Sequence, residues 1–176
     1  ARVFKQLDRL RSLAGSTSKA KVVSQNNFPK GTGIASSASG FAALTVATAS
    51  ALGLVLSEKE LSIYARLGSG SACRSIPEGI VEWLEGDSSE TSYAHSLYPV
   101  DYWNLQDILA IVSSSEKKVG SSLGHTLGKE SIFHEARVKA VYKLIPQIKE
   151  AIKDKDIHKM GEILEADCIY MHAVMM

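Results

Sequence analysis

Eight consecutive residues, Gly68-Ser69-Gly70-Ser71-Ala72-Cys73-Arg74-Ser75, almost lack bulk, carry four hydroxyl or thiol groups and end on a guanidinium. That combination describes an anion receptor. Glycines let backbone N–H groups turn toward a ligand, serines add donors at no steric cost, and one Arg grips phosphate or carboxylate through two parallel hydrogen bonds. The competing reading of a single Gly-Ser run is a polar turn after a helix. A second run shifts the balance: Asn26-Asn27-Phe28-Pro29-Lys30-Gly31-Thr32-Gly33 leads directly into Ala35-Ser36-Ser37-Ala38-Ser39-Gly40. Two anion-shaped runs in 176 residues suggest a ligand charged at both ends.

The rest of the composition limits what that ligand can be. At 45% hydrophobic and 22% charged residues the chain is ordinary globular material, large enough to bury a core. Twenty Lys and Arg against nineteen Asp and Glu leave a formal charge of +1, so no global field draws the chain to nucleic acid or to a membrane. Cys73 and Cys168 lie far apart and in no CxxC pattern, which favours reduced thiols and a cytoplasmic setting over a disulfide or zinc framework. The most apolar stretch, Phe41 to Leu56, is mild, short and broken by Gly53, too little for a membrane span. No secretory signal is visible. The first helical pattern, Val3, Leu7, Leu10 and Leu13, is already under way at the first residues, and the expectation is that residues once preceded Ala1.

Along the chain, Gly15-Ser16-Thr17-Ser18 reads as a turn and Ala20 to Gln25 as a strand feeding the first anion run. Ile34 to Leu54, rich in Ala42, Ala43, Ala47, Ala49 and Ala51, predicts a closely packing helix whose positive end points at whatever the run holds. Ser57-Glu58-Lys59-Glu60 predicts a capping box opening a helix that ends at Gly68. Ile80 to Leu84 and Asp107 to Val112 are strand candidates, and Ser113 to Ser122 is a third polar loop containing Lys117, Lys118, Ser121 and Ser122. A helical region follows, with Phe133, Ala136, Ala140 and Leu144 on one stripe and Pro146 kinking or restarting it. The last helix, from about Asp156, places Ile157, Met160, Leu164, Cys168, Met171 and Met175 at spacings of three and four.

Common nucleotide fingerprints fail. Lys30 precedes the glycines, with no Gly-Lys-Ser/Thr closing the run, and Ser36 stands where a GxGxxG needs its third glycine. A strand, a Gly turn and a helix starting with Ser36, Ser37 and Ser39 can hold phosphates and magnesium; alternatively the hydroxyls merely cap the helix. His158 and His172 are fourteen residues apart, roughly 21 Å along a helix, and cannot share a metal. Cys73 has no base at a recognisable spacing and reads as packing rather than a nucleophile. Asp87, Asp101, Asp107 and Asp167 offer carboxylates, none in a context that marks a general base.

Three segments together resemble the diphosphomevalonate decarboxylases of the GHMP kinase superfamily: Asn26-Asn27-Phe28-Pro29, Gly33-Ile34-Ala35-Ser36-Ser37-Ala38-Ser39-Gly40-Phe41-Ala42-Ala43-Leu44, and Ala65-Arg66-Leu67 with the Gly-Ser run that follows. Val81-Glu82-Trp83, Lys117-Lys118-Val119 and Met171-His172-Ala173 extend the likeness over essentially the whole chain. The resemblance implies an α+β, GHMP-type two-lobed fold. Its S5-like N-terminal half would be residues 1–105 and its ferredoxin-like C-terminal half residues 106–176, incomplete at the start and the end respectively. It also implies an ATP- and Mg²⁺-dependent reaction: phosphorylation of the 3-hydroxyl of mevalonate 5-diphosphate, then loss of phosphate and CO₂ to give isopentenyl diphosphate. Sibling activities are decarboxylation of mevalonate monophosphate or 3-phosphorylation of mevalonate.

By resemblance, Ser24, Asn27, Gly33, Ser36, Ser37 and Lys118 contact ATP, with Ser37 also toward Mg²⁺. Ser69, Gly70, Ser71, Ala72, Cys73, Arg74, Ser121 and Ser122 hold the substrate, and Arg74 on its carboxylate is the implied catalytic residue. The implied partners are small molecules, with neither nucleic acid nor membrane, and a homodimer is the assembly considered. Family members carry an N-terminal Asn-Ile-Ala-Leu-Ile-Lys-Tyr-Trp-like segment and a C-terminal Asp-Ala-Gly-Pro-like motif with the usual catalytic Asp, and neither occurs here. The expectation is therefore a central fragment, catalytically silent by itself. Lys30-Gly31-Thr32 replaces the commoner Thr-Ala-Ala, and Pro77-Glu78 stands where an aromatic-Gly pair is common, which leaves open how the Gly-Ser run is braced from behind.

Overall fold

The computed structural model describes residues 2–28, 35–110 and 128–175. The chain divides into two compact units, Ala1–Glu116 and Lys117–Met176.

In the first unit, helix α1 (Arg2–Ala14) turns Gln6, Leu7 and Leu10 inward, while Val3 and Leu13 on the expected stripe stay partly exposed. Helix α2 (Ser36–Ala51) buries Ala38, Ala42, Thr45 and Ala49, and such small side chains allow close helix approach. Helix α3 (Glu58–Gly68) starts at the expected box: the Ser57 hydroxyl accepts from Glu60 N–H, and Ser57 N–H donates to the Glu60 carboxylate at 2.8 Å. Ala42, Ala65 and Ala72 form a core cluster against which Phe41 and Ile76 pack. A fully buried amide locks the three helices together: Gln6 Nε2 donates to Thr45 Oγ1 and to Tyr64 O, both at 2.8 Å.

Strands β1 (Ile80–Trp83) and β2 (Ala94–Tyr98) form an antiparallel pair, with Glu82 opposite His95, Trp83 opposite Ala94 and a bulge between Ile80 and Val81. Gly79, at φ 77°, opens β1 where a Cβ would collide with Tyr98 O. The Ile80 strand meets the expectation to within a residue, whereas β2 was not foreseen. Two expected strands are corrected. Ala20 to Gln25 forms no strand, because a strand needs a ladder and the described sheet contains only β1 and β2. Asp107 to Ala110 is likewise unpaired, and Ile111-Val112 lies outside the described residues.

The second unit is a helical hairpin of α4 (His134–Asp154) and α5 (Ile157–Met175), turned at Lys155 with φ 53°. Arg137 pairs with Asp167 at 2.9 Å and Lys159 with Glu150 at 3.0 Å. Pro146 lies inside α4 and does not restart it. The expected α4 stripe is displaced: Phe133 and Ala136 are exposed, Ala140 and Leu144 half-buried, and Ala151 is the buried side chain. On α5 only Ile163 is buried, leaving Leu164, Met171 and Met175 exposed among the described residues. Helices beside a small antiparallel sheet make the architecture α+β, and no described helix is long and apolar enough to cross a membrane.

Candidate anion-binding site

The Gly-Ser run, read as a loop, is a 3-10 turn over Gly70–Ser75. It starts where α3 stops at Gly68, a residue at which any Cβ would run into the Phe41 ring. Side chains of α1 hold the carbonyls at that helix end: Arg2 donates to Gly68 O at 2.8 Å and Arg9 to Leu67 O at 2.9 Å. These cations sit where the helix dipole is negative and carbonyls lack partners. The Arg2 guanidinium also lies 5.0 Å from the Phe41 ring centre.

Within the turn, inner and outer sides differ. Ala72 and Cys73 have no exposed surface. Cys73 Sγ donates to Gly70 O at 3.1 Å, and Cys73 O accepts from Ser62 Oγ at 3.1 Å. Ser62 Oγ also accepts from Ala94 N–H at 2.8 Å, tying the turn to β2 through a fully buried hydroxyl. Burial pushes the Cys73 thiol up, outweighing the neighbouring Arg74 charge, so this sulfur stays protonated and shapes the loop. The side chains of Ala72 and Cys73 therefore face the core, leaving only backbone to meet a ligand. Pro77 is buried, and the bracing behind the turn comes from Ala42, Ala65 and Ile76 together with the Ser62 hydroxyl. Outward, Gly70, Arg74 and Ser75 are exposed and Ser71 is half-buried.

At the start of α2 the N-cap, Ala35, is left-handed at φ 46°, and no side chain caps the helix among the described residues. Ser39 Oγ donates instead to Ser36 O at 3.2 Å. Ala38 N–H donates to Ala35 O at 2.8 Å, and none of the three serine hydroxyls caps this helix among the described residues. Ser37 Oγ lies 3.3 Å from Ser69 Oγ, so the two runs, more than thirty residues apart in sequence, meet side chain to side chain.

From this junction a groove of about 660 Å³ runs between α1, residues 18–26 and α2. Ser24, Asn26, Ser36 and Ser37 line it, with Phe41 and Leu44 among its apolar wall. Its size suits a small organic ligand. Asn26 rather than Asn27 borders the groove. Gly33, Lys117, Lys118, Ser121 and Ser122 lie outside the described residues. Among the described residues no cluster of three or more His, Cys, Asp or Glu side chains can hold a metal.

Sequence reasoning did not single out Ser62, Ser92 or the contact of Trp83 with Arg74. The Arg74 guanidinium carbon lies 5.6 Å from the Trp83 ring centre, and Trp83 Nε1 donates to Ser92 Oγ at 3.0 Å. A serine on an amphipathic helix gives no sign that it bridges a distant strand.

Helices beside a small antiparallel sheet make the fold α+β, and within it the Gly-Ser turn meets the start of α2. Family models match both parts of the chain: the diphosphomevalonate decarboxylase-like N-terminal domain over residues 1–94 and the mevalonate 5-diphosphate decarboxylase C-terminal domain over residues 108–176. The chain belongs to the diphosphomevalonate decarboxylase family. It is 39% identical to the diphosphomevalonate decarboxylase of Gibberella zeae over 158 residues, 87% of this chain and 41% of that protein. A solved structure of the mevalonate diphosphate decarboxylase from Enterococcus faecalis, described by its mevalonate diphosphate mediated ATP binding mechanism, superposes with a TM-score of 0.83 at 40% identity, covering 98% of this chain and 53% of that one. Another, described as MDDEF in complex with MVAPP, AMPPCP and magnesium, gives 0.83 at 41%, covering 98% and 54%. The chain thus spans about two fifths of the length of the curated relative and about half that of the solved structures.

Proposed function

We propose that this chain carries the nucleotide- and substrate-holding edges of an ATP-dependent decarboxylase that converts mevalonate 5-diphosphate to isopentenyl diphosphate, ADP, phosphate and CO₂. The observation that carries the reading is the 3.3 Å approach of Ser37 to Ser69, because phosphoryl transfer requires a nucleotide site and an acceptor site in contact. The MVAPP, AMPPCP and magnesium in the related complex support the same ligands here.

In this reading the open first turn of α2, with Ser36 and Ser37, holds nucleotide phosphate, and the groove beside it takes the rest of the nucleotide. Mg²⁺, once bound, supplies neutralisation of phosphate charge. Gly70 backbone and the Ser71 hydroxyl face the substrate, with the buried Ser69 hydroxyl at the inner edge beside Ser37, and Arg74 keeps the substrate carboxylate ionised until the carbon–carbon bond electrons pass to the carbon losing phosphate. The family resemblance alone adds Lys118 as an ATP contact and Ser121 and Ser122 as substrate contacts, with residues 1–105 as the N-terminal lobe and 106–176 as the C-terminal one. Two free cysteines fit a cytoplasmic setting.

A second reading has its own support: no residue lining the groove is Asp or Glu, so the described residues bind anions without a general base beside the groove. A chimera separates the two. With these 176 residues replacing the equivalent segment of the E. faecalis enzyme, mevalonate 5-diphosphate and Mg·ATP should yield CO₂, and Arg74→Ala should lower kcat/KM by about 2–4 kcal/mol in transition-state terms. A folded chimera that binds both ligands yet releases no CO₂ favours the anion-binding reading. Product from mevalonate monophosphate instead identifies the sibling decarboxylase, and 3-phosphorylated mevalonate without CO₂ identifies the kinase.

A further inference from the structure

Arg74 is exposed at the end of the 3-10 turn, and a free arginine samples many rotamers, only a few of which can grip a carboxylate with both nitrogens. We propose that Trp83 is the positioning residue that holds Arg74 in its gripping orientation, an inference resting on the reading that Arg74 holds the substrate carboxylate.

Three contacts carry it. The guanidinium carbon lies 5.6 Å from the indole ring centre, within cation–π range. The ring also reaches the other end of the turn, since a Cβ built on Gly70 would sit 3.5 Å from Trp83 Cη2. One indole therefore spans the turn from Gly70 to Arg74. The ring itself is fixed: Nε1–H donates to Ser92 Oγ at 3.0 Å, and that largely buried hydroxyl donates to Leu84 O at 3.2 Å. This chain of hydrogen bonds starts in the β-hairpin, where Trp83 pairs with Ala94, and so refers the Arg74 side chain to the sheet rather than to its own backbone. Trp83 keeps 38% of its surface exposed, which a residue serving only the core would not need. Preorganisation of this kind raises affinity by removing rotamer freedom before binding.

The test is calorimetric titration of mevalonate 5-diphosphate into the 176-residue chain and its variants. Trp83→Leu should weaken binding about 5–10-fold, and Trp83→Phe, which keeps a ring face, should recover most of that. In an Arg74→Ala background Trp83→Leu should cost nothing further, a result that general loss of structure cannot mimic. Should Trp83→Leu fail to fold, Ser92→Ala retains the indole and frees its N–H, and its loss of about 2–3-fold should likewise vanish in the Arg74→Ala background. If Arg74→Ala binds like wild type, the substrate reading of the turn fails. If Arg74→Ala is weak while Trp83→Leu and Ser92→Ala bind normally, or lose the same factor without Arg74, the site stands and the positioning role of Trp83 is overturned.

Discussion

The 3-10 turn and the start of α2 have the same chemistry, small residues and serine hydroxyls, but the protein treats them differently. Behind the turn, Ser62, Cys73 and Ala94 close hydrogen bonds in a space with no exposed surface, and Ala72 packs into the alanine cluster. At α2 the cap is a left-handed alanine, with no side-chain cap among the described residues. A loop whose inner groups all have protein partners has its shape before any ligand arrives. In the proposed reading the start of α2 is instead completed by the ligand, and its donors strengthen with the charge they meet.

The largest way to break this contrast is Ser62→Ala. It strands the buried Ala94 N–H and removes the donor to Cys73 O, so stability should fall by about 2–3 kcal/mol, read as a lower denaturation midpoint with unchanged slope. A loss under about 0.5 kcal/mol would mean that the turn is not held from behind. Next comes Ser57→Ala at the capped start of α3, for which about 1 kcal/mol is expected by the same measurement. At the uncapped start of α2, Ala35→Gly should do the opposite: glycine accepts φ 46° without a Cβ penalty, and thermal melting should show a gain of about 0.5–1 kcal/mol.

The smallest expected effect is a pH dependence confined to the capped helix. The Ser57 hydroxyl and backbone N–H hold the Glu60 carboxyl below the ordinary glutamate range. A depressed pKa contributes stability above the unfolded value and loses it as pH falls through the folded one. The stability gap between wild type and Ser57→Ala should therefore narrow as pH falls through the folded Glu60 pKa, the remainder being the Ser57 hydroxyl's bond from Glu60 N–H, and a gap unchanged there would contradict the box.

Local signals were legible in the sequence, and long-range ones were not. The α3 capping box, its stop at Gly68, β1 and the start of α5 all follow from residues within a few positions of one another. β2 was missed because Ala94 to Tyr98 lies between polar turns and owes its pairing to β1. The segment from Ala20 to Gln25 failed the other way, since alternation without a ladder partner does not make a strand. For the site, Ser36, Ser37 and Arg74 stand out by composition, but the meeting of Ser37 with Ser69, the Ser62 bridge and the Trp83 contact are products of packing that one-dimensional spacing does not encode.

In the proposed reading the start of α2 is the nucleotide edge of a receptor whose other edge is the closed turn. The two edges are separated by titrating Mg·ATP and, separately, mevalonate 5-diphosphate into wild type and Ser37→Ala. Both ligands should bind wild type saturably. In Ser37→Ala, Mg·ATP should weaken by about tenfold while the mevalonate 5-diphosphate isotherm stays nearly unchanged. No Mg·ATP binding to the folded wild type, or a Ser37→Ala variant that loses mevalonate 5-diphosphate and keeps Mg·ATP, would contradict it.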